Sequence, residues 1–218
     1  MSVKTRIDIL VEKIEKSLIL LVGESGTAKE ELGYRFIVDG IENDETIIAI
    51  LFAHSSLDFL EELKKRSKKT MQHLNDGKIH FIDALSFRSL PKEKLPNTIL
   101  LESVSDLLLL SVKINEISLK SSKLRIIFDQ ISLLMLYNDP KQVLNFVQTL
   151  AARVRQRNQT ALLIMDSGVI DEKIERALHS MADIMVETKR RDVAEGIKQL
   201  VRVKFAKYEY EPRWVEVI

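Results

Sequence analysis

The feature that most constrains this 218-residue chain is a strand–loop–helix pattern near its amino terminus. A short apolar run ends at Val22, a loop follows from Gly23 to Lys29, and a helical pattern continues from Glu31 to Ile37. This order matches most of the motif G-x-x-x-x-G-K-[ST], in which backbone N–H groups at the start of a helix bind phosphate. The pattern therefore predicts a phosphate-binding loop in an α/β protein.

Two positions of the loop depart from this motif. Gly23 fills the first glycine and Lys29 the lysine, but Ala28 stands where the second glycine belongs. Glu30 replaces the Ser or Thr whose hydroxyl would bind Mg²⁺. The candidate nucleotide- or phosphate-binding residues are Gly23, Ser25, Gly26, Thr27, Ala28, Lys29 and Glu30.

The two departures differ in their expected cost. Ala28 costs about 1–2 kcal/mol if its backbone must be left-handed, and almost nothing if it is helical. Glu30 places a negative charge beside a triphosphate, and one such charge pair about 4 Å apart repels by about 4 kcal/mol at an effective dielectric constant near 20. Lys29 could instead form an ion pair with Glu30 or Glu24, although a carboxylate is also able to bind Mg²⁺ directly.

Composition describes an ordinary globular protein with few special chemistries. The chain is 45% hydrophobic and 30% charged, and its net charge of +1 gives no general affinity for nucleic acid or anionic membranes. It has no cysteine, which excludes disulfides and thiolate catalysis, and no apolar run of the ~20 residues that a membrane span needs. These features predict a cytoplasmic protein with one domain over residues 1–218, in which residues 1–16 form an amino-terminal helical segment.

Short apolar runs alternate with longer amphipathic segments until residue 185, after which strand-like segments follow one another closely. The predicted strands are Ser17–Val22, Thr46–Ala53, Lys78–Ile82, Thr98–Leu101, Leu124–Phe128, Thr160–Met165, Ile184–Lys189, Lys198–Lys204 and Arg213–Ile218. The predicted helices cover Leu57–Leu74, Ser103–Lys120, Lys141–Arg157 and Asp171–Ala182, with turns at Arg190-Arg191 and Asp192–Gly196. This order predicts a mostly parallel α/β sheet flanked by helices, with antiparallel hairpin strands at the carboxyl end.

Six segments in this order resemble the KaiC-like branch of the RecA-type P-loop ATPases. They are Lys16–Gly23, Gly77–Ala84, Leu124–Ser132, the stretch that ends at Pro140, Thr160–Met165 and Ala182–Glu187. The resemblance covers nearly the whole chain and is typical of archaeal members. It implies a RecA-like fold, ATP or ADP with Mg²⁺ as ligands, and head-to-tail self-association.

The resemblance also implies where the catalytic groups of active relatives belong. Asp129 ends an apolar strand where the metal-organising Walker B carboxylate is expected, although an Asp at this position could also cap the next helix through Ser132. Ala53 and His54 stand where the family carries the acidic pair that activates water. Lys204 matches the lysine of a Lys-x-Arg-Gly segment that reaches a neighbour's phosphates, but Ala206 replaces the arginine.

The altered positions favour a catalytically degenerate P-loop protein, a pseudo-ATPase that acts as a non-hydrolysing regulatory or binding subunit. Its expected partner is a second copy or a KaiC-like paralogue. One alternative is a slow ATPase or ATP-binding sensor, which requires Lys29 and Glu30 to accommodate nucleotide with Mg²⁺. Another is a recombinase-like accessory protein that binds DNA, which a net charge of +1 supports weakly.

Overall fold

A computed structural model of the chain describes residues 16–89, 94–194 and 196–217. The nine strands are β1 (Leu18–Gly23), β2 (Thr46–Leu51), β3 (Ile79–Asp83), β4 (Thr98–Leu100), β5 (Leu124–Phe128), β6 (Thr160–Asp166), β7 (Ile184–Val193), β8 (Gly196–Ala206) and β9 (Val215–Glu216). The helices are α1 (Lys29–Glu42), α2 (Ser56–Arg66), α3 (Thr70–Asn75), α4 (Leu107–Ser118), α5 (Ile131–Tyr137), α6 (Pro140–Gln156) and α7 (Glu172–Met181), with a 3₁₀ turn at Ser86–Ser89.

The strands form one sheet in the order β4-β3-β2-β5-β6-β1-β7-β8-β9. In this spatial order, all neighbouring strands between β4 at the edge and β7 are parallel. The pairs β7–β8 and β8–β9 are antiparallel. This arrangement confirms the predicted class, a mostly parallel RecA-like α/β sheet with antiparallel strands at the carboxyl end. Because β1 lies between β6 and β7, the loop that begins at Gly23 starts beside Asp166, the last residue of β6, and Thr188, in the middle of β7.

The central strands are apolar on both alternations because helices cover both faces of the sheet. All six residues of β1 and all five of β5 are buried. One core lies between the sheet and helices α4 to α7, and the other lies mainly beneath α1 and α2. In the part of the chain that the structure describes, no helix is long and apolar enough to cross a membrane.

The prediction of one continuous helix over Leu57–Leu74 is wrong, because two helices occupy this segment. Helix α2 ends at Arg66, and Ser67 is extended with φ −139° and ψ 127°. The Ser67 hydroxyl donates to the Glu42 carboxylate at 2.6 Å, while the Thr70 hydroxyl donates to the Leu63 carbonyl at 3.2 Å. These side chains satisfy groups at the break, so the chain turns there and α3 begins at Thr70.

The helix predicted from Ser103 begins four residues later, at Leu107. Asp106, not Ser103, caps it, because the Asp106 carboxylate accepts from the Leu109 N–H at 2.9 Å. Helix α5, a seven-residue helix that directly follows Gln130, was not predicted from the sequence.

The carboxyl-terminal hairpin is longer than predicted. Strands β7 and β8 pair from Ile184 opposite Ala206 to Val193 opposite Gly196. Arg190 and Arg191, predicted in a turn, lie in β7 opposite Gln199 and Lys198. The helix predicted over residues 1–16 falls almost wholly outside the described residues.

Candidate functional site at the phosphate loop

The predicted loop connects β1 to α1 as a tight turn. The Thr27 N–H donates to the Glu24 carbonyl at 3.3 Å, and Gly26 has a φ of 76°, which favours glycine. Ala28 has φ −68° and ψ 14°, so its backbone is not left-handed. Ala28 therefore avoids the backbone strain considered from the sequence.

Gly23 is required by a close approach of the hairpin. A Cβ atom at Gly23 would lie 2.0 Å from the Thr188 hydroxyl oxygen and 2.8 Å from the Thr188 carbonyl oxygen. The Thr188 hydroxyl also shares a hydrogen bond of 2.7 Å with the Thr27 hydroxyl, and Gln199 of β8 donates to the Gly26 carbonyl at 3.2 Å. The loop is therefore fastened to β7 and β8 at two points.

The Lys29 ammonium group turns inward. It donates to the Gly23 carbonyl at 2.6 Å and to the Glu24 carbonyl at 2.8 Å, and it forms an ion pair with the Asp166 carboxylate. Lys29 is only 4% exposed. Its acidic partner is therefore Asp166, whereas the sequence suggested Glu30 or Glu24.

Asp166 is itself held in place at the end of β6. Its second carboxylate oxygen accepts from the Gln130 side-chain amide at 2.8 Å, and its backbone N–H donates to the Ser132 hydroxyl at 3.2 Å. Strand β6 lies next to β1, and Gly23 stands opposite Asp166 in the register. The sheet itself therefore places this carboxylate beside the loop.

Asp129 faces the protein interior. Its carboxylate accepts from the backbone N–H groups of Phe52 at 2.7 Å and of Ala53 and His54 at 3.0 Å. Nδ1 of His54 lies 3.1 Å from the same carboxylate, whose side chain is 3% exposed. Asp129 thus organises the segment after β2, and it does not cap α5 through Ser132.

His54 is the residue whose charge depends most directly on Asp129. The hydrogen bond to the Asp129 carboxylate raises the pKa of His54, and partial burial opposes this shift. The raised pKa favours an imidazolium that is paired with Asp129. A proton held in this way makes His54 a poor general base, which must accept a proton from water.

A cleft of about 660 Å³ opens beside the loop, between the start of α1 and helix α2. Most of its charged lining is acidic, contributed by Glu30, Glu31, Asp58, Glu61 and Glu62, with Lys65 and Arg66 as the basic residues. Burial and the charges of Glu62 and Glu30 raise the pKa of Tyr34, which also lines the cleft, to about 12. Lysine and arginine side chains pair with Glu31, Glu61 and Glu62. Glu30 and Asp58 form no ion pair with a described residue, so their charges are the ones that oppose the approach of an anion.

The side chains at the loop do not match those that hold a magnesium ion in an active P-loop ATPase. Glu30 offers a carboxylate where a hydroxyl belongs, and the Asp129 carboxylate already accepts from four donors. Lys29, which would face a phosphate, is bound to Asp166. No group of three or more metal-binding side chains occurs among the residues described.

The structure brings most of the predicted site residues together. Glu30, His54 and Asp129 line one small recess next to the loop. Lys204 is the exception, because it lies in β8 and forms an ion pair of 2.7 Å with Glu187 of the same chain.

Several residues at the site were not predicted from the sequence. Asp166, Thr188, Arg190 and Gln199 lie against the loop, and Gln130 holds Asp166 in place. Only Asp166 had a sequence signal, a carboxylate directly after a predicted buried strand. Gln130 lies in the segment Leu124–Ser132 but was given no role, and Thr188, Arg190 and Gln199 lie far from the loop in sequence.

A family model described as "ATPase: KaiC" matches residues 4–206. The chain belongs to the KaiC ATPase family. The sheet described above is therefore the RecA-like core of a KaiC-like P-loop domain. The sequence has no significant match among curated proteins.

Two solved structures from the archaeon Pyrococcus horikoshii share the KaiC-like fold. One is a KaiC-like protein with a TM-score of 0.70 and 14% identity, over 93% of this chain and 85% of that chain. The other is an uncharacterized protein in complex with an unknown peptide, with a TM-score of 0.72, 15% identity and 97% of each chain covered. At these identities the likeness shows the fold alone.

Proposed function

We propose that this chain is a KaiC-like P-loop protein that does not hydrolyse ATP and that acts as a binding or regulatory subunit. The observation that carries this proposal is the position of Lys29. Its ammonium group is buried against Asp166 and two loop carbonyls, so it is already neutralised where a phosphate would need it. A phosphate must break this ion pair before Lys29 can bind it.

The groups around Lys29 support the same conclusion. The acid that would activate water is replaced by Ala53 and by His54, whose pKa is raised by its contact with Asp129. Glu30 adds negative charge at the mouth of the cleft. Ala206 also replaces the arginine that would reach a neighbour's phosphates. Proton transfer contributes about 10²–10⁴-fold and a trans-acting arginine about 10³–10⁵-fold to the rate of such reactions, so we expect the loss of both to remove most of the rate of ATP hydrolysis.

A binding role also suits what is known of the fold. The Pyrococcus horikoshii structure that matches 97% of this chain is a complex with an unknown peptide. We propose that this chain likewise serves through protein contacts, with a second copy or a KaiC-like paralogue as its partner.

Phosphate release from Mg-ATP tests the proposal most directly. We expect no turnover above background for the wild-type protein. A sustained rate that disappears in a Lys29→Ala variant would refute the proposal, because that dependence would assign the rate to this loop. Mass measurement in solution, alone and with a KaiC-like paralogue, tests the subunit role.

An ATP-binding sensor is the second candidate, and the loop backbone favours it. Gly26 keeps its left-handed conformation, Ala28 is unstrained, and Nη1 of Arg190 lies 3.6 Å from the position of a Cβ atom at Gly26. Calorimetric titration with ATP and ADP, with and without Mg²⁺, separates the candidates. Heat that saturates and disappears in an Arg190→Gln variant would support a sensor, and no heat at high protein concentration would dismiss it.

A further inference from the structure

A second cavity lies far from the phosphate loop, between the edge strand β4 and the end of α4. It has a volume of about 380 Å³. Lys94, Lys120 and His80 line it together with apolar side chains that include Ile99 and Ile117. It shares no lining residue with the acidic cleft beside the loop. It is therefore a separate site with the opposite charge.

The charges in this cavity are not balanced. Glu116 is the acidic residue in its lining, and it is already paired with Lys113 at 2.9 Å. Lys94 and Lys120 form no ion pair with any residue that the structure describes. About two positive charges therefore face the cavity without a paired acid among the described residues. An anion bound in the cavity would form charge-assisted hydrogen bonds with both lysines.

His80 adds a neutral polar group to the same wall. It lies in β3 between the buried residues Ile79 and Phe81. Burial lowers its pKa, the charge of Lys120 lowers it further, and a hydrogen bond to the backbone of Gly77 opposes both. At neutral pH the imidazole is therefore uncharged, and it can donate or accept a hydrogen bond.

We propose that this cavity binds a small organic dianion, either a phosphate monoester or a short dicarboxylate. Lys94 and Lys120 match its two charges, His80 and Asn97 offer hydrogen bonds, and Ile99 and Ile117 contact its carbon atoms. The volume is at the lower end of the range of about 300–1,000 Å³ that holds small ligands, which limits the occupant to a small metabolite.

Titration of the full-length chain with inorganic phosphate and with succinate, at low ionic strength, tests the proposal by NMR. We expect saturable shifts confined to residues that line the cavity, and a rise in the pKa of His80 on binding, because the dianion offsets the charge of Lys120. Saturation by either probe supports a dianion site and shows which class it prefers. No saturable shift with either probe at millimolar concentration overturns the proposal.

Charge variants separate a built site from general attraction. We expect Lys94→Gln and Lys120→Gln each to weaken binding about tenfold or more, since each removes a charge-assisted contact. Lys123→Gln changes the net charge equally but does not line the cavity, so it should leave the affinity unchanged. Equal weakening in all three variants, or none in Lys120→Gln, contradicts the proposal. The resonances of Gly23 and Gly26 report separately on any phosphate at the loop, so this test is independent of the proposed function.

Discussion

The buried side chain of Lys29 forms an ion pair with the half-buried carboxylate of Asp166, which joins the first residue of α1 to the last residue of β6. The two residues are 137 positions apart in sequence, and only the adjacency of β1 and β6 brings them together. Removing one partner of a buried pair leaves an uncompensated charge and typically costs about 3–5 kcal/mol. This pair therefore contributes to the fold while it occupies the phosphate-binding lysine.

The first prediction concerns the stability that this pair provides. We expect Asp166→Asn to lower the free energy of unfolding by about 3 kcal/mol, because Lys29 loses the carboxylate that compensates its charge. Urea unfolding followed by circular dichroism measures the change. Asp171→Asn is the matched control, since Asp171 caps α7 on the surface and Asn caps a helix equally well, so its cost should stay below about 0.5 kcal/mol.

The same variant tests how Lys29 affects nucleotide binding. With Asp166 neutral, Lys29 is free to meet a phosphate, and we expect Asp166→Asn to bind ADP more tightly than the wild type does. Phosphate release should stay at background, because the variant restores no water-activating acid. If ADP affinity is unchanged in a folded Asp166→Asn variant, the ion pair is not what limits binding.

The second prediction concerns the contact between Gly23 and the hairpin. A methyl group at Gly23 would overlap the Thr188 hydroxyl and approach the Thr188 carbonyl, so we expect Gly23→Ala to destabilise the protein by about 2–3 kcal/mol. Gly168→Ala is the control, because nothing lies within 4 Å of a Cβ atom there, and its cost should come only from its φ of 72°. Thermal unfolding of both variants makes the comparison.

The third prediction concerns Asp129. Three backbone N–H groups and His54 converge on its carboxylate, so Asp129→Asn places an amide N–H₂ group among donors. We expect a loss of about 2–4 kcal/mol, since buried donors are left without an acceptor. Asp139→Asn, at the exposed cap of α6, should cost much less. Equal effects of the two variants would show that Asp129 does not organise the segment after β2.

The fourth prediction is a pH dependence of stability that arises from His54. Its pKa is raised in the folded protein by the Asp129 carboxylate. The contribution is therefore complete below the unfolded-state value of about 6.5 and is lost as the pH rises through the folded-state value. His80 and His179 have lowered pKa values and act in the opposite direction, so the wild type must be compared with His54→Asn.

The measurement is the free energy of unfolding of both proteins at pH 6 and at pH 8.5. We expect the advantage of the wild type over His54→Asn to be larger at pH 6 than at pH 8.5. An advantage that does not change with pH would mean that His54 is not charged in its contact with Asp129.

The sheet could be predicted from sequence because its signals are local. Runs such as Ile126–Phe128 and Ala161–Met165 are apolar on both alternations, and the structure places each in a strand buried on both faces. Helix ends were predicted less well. The break at Ser67 and the cap at Asp106 depend on individual side-chain hydrogen bonds that several nearby polar residues could equally make.

The site could be predicted only in part, because its main contacts are long-range. The loop, Asp129 and His54 follow from the motif and from the ends of two strands. Thr188 and Gln199 contact the loop from 161 and 173 residues away, through a hairpin whose register the sequence does not reveal. The choice of Asp166 over Glu30 and Glu24 as the partner of Lys29 likewise depends on strand order.

The fastening of the loop to β7 and β8 has a mechanical consequence. Thr188 and Gln199 form hydrogen bonds to Thr27 and to the Gly26 carbonyl in the loop. Nearer the other end of the same hairpin, Arg191 and Ile197 are exposed. A protein that binds this outer end and changes the orientation of the hairpin must also move the turn and alter the hydrogen bonds of Lys29. Binding of a partner at the outer end of the hairpin would thereby change the phosphate loop, and binding of a ligand at the loop would change the outer end of the hairpin.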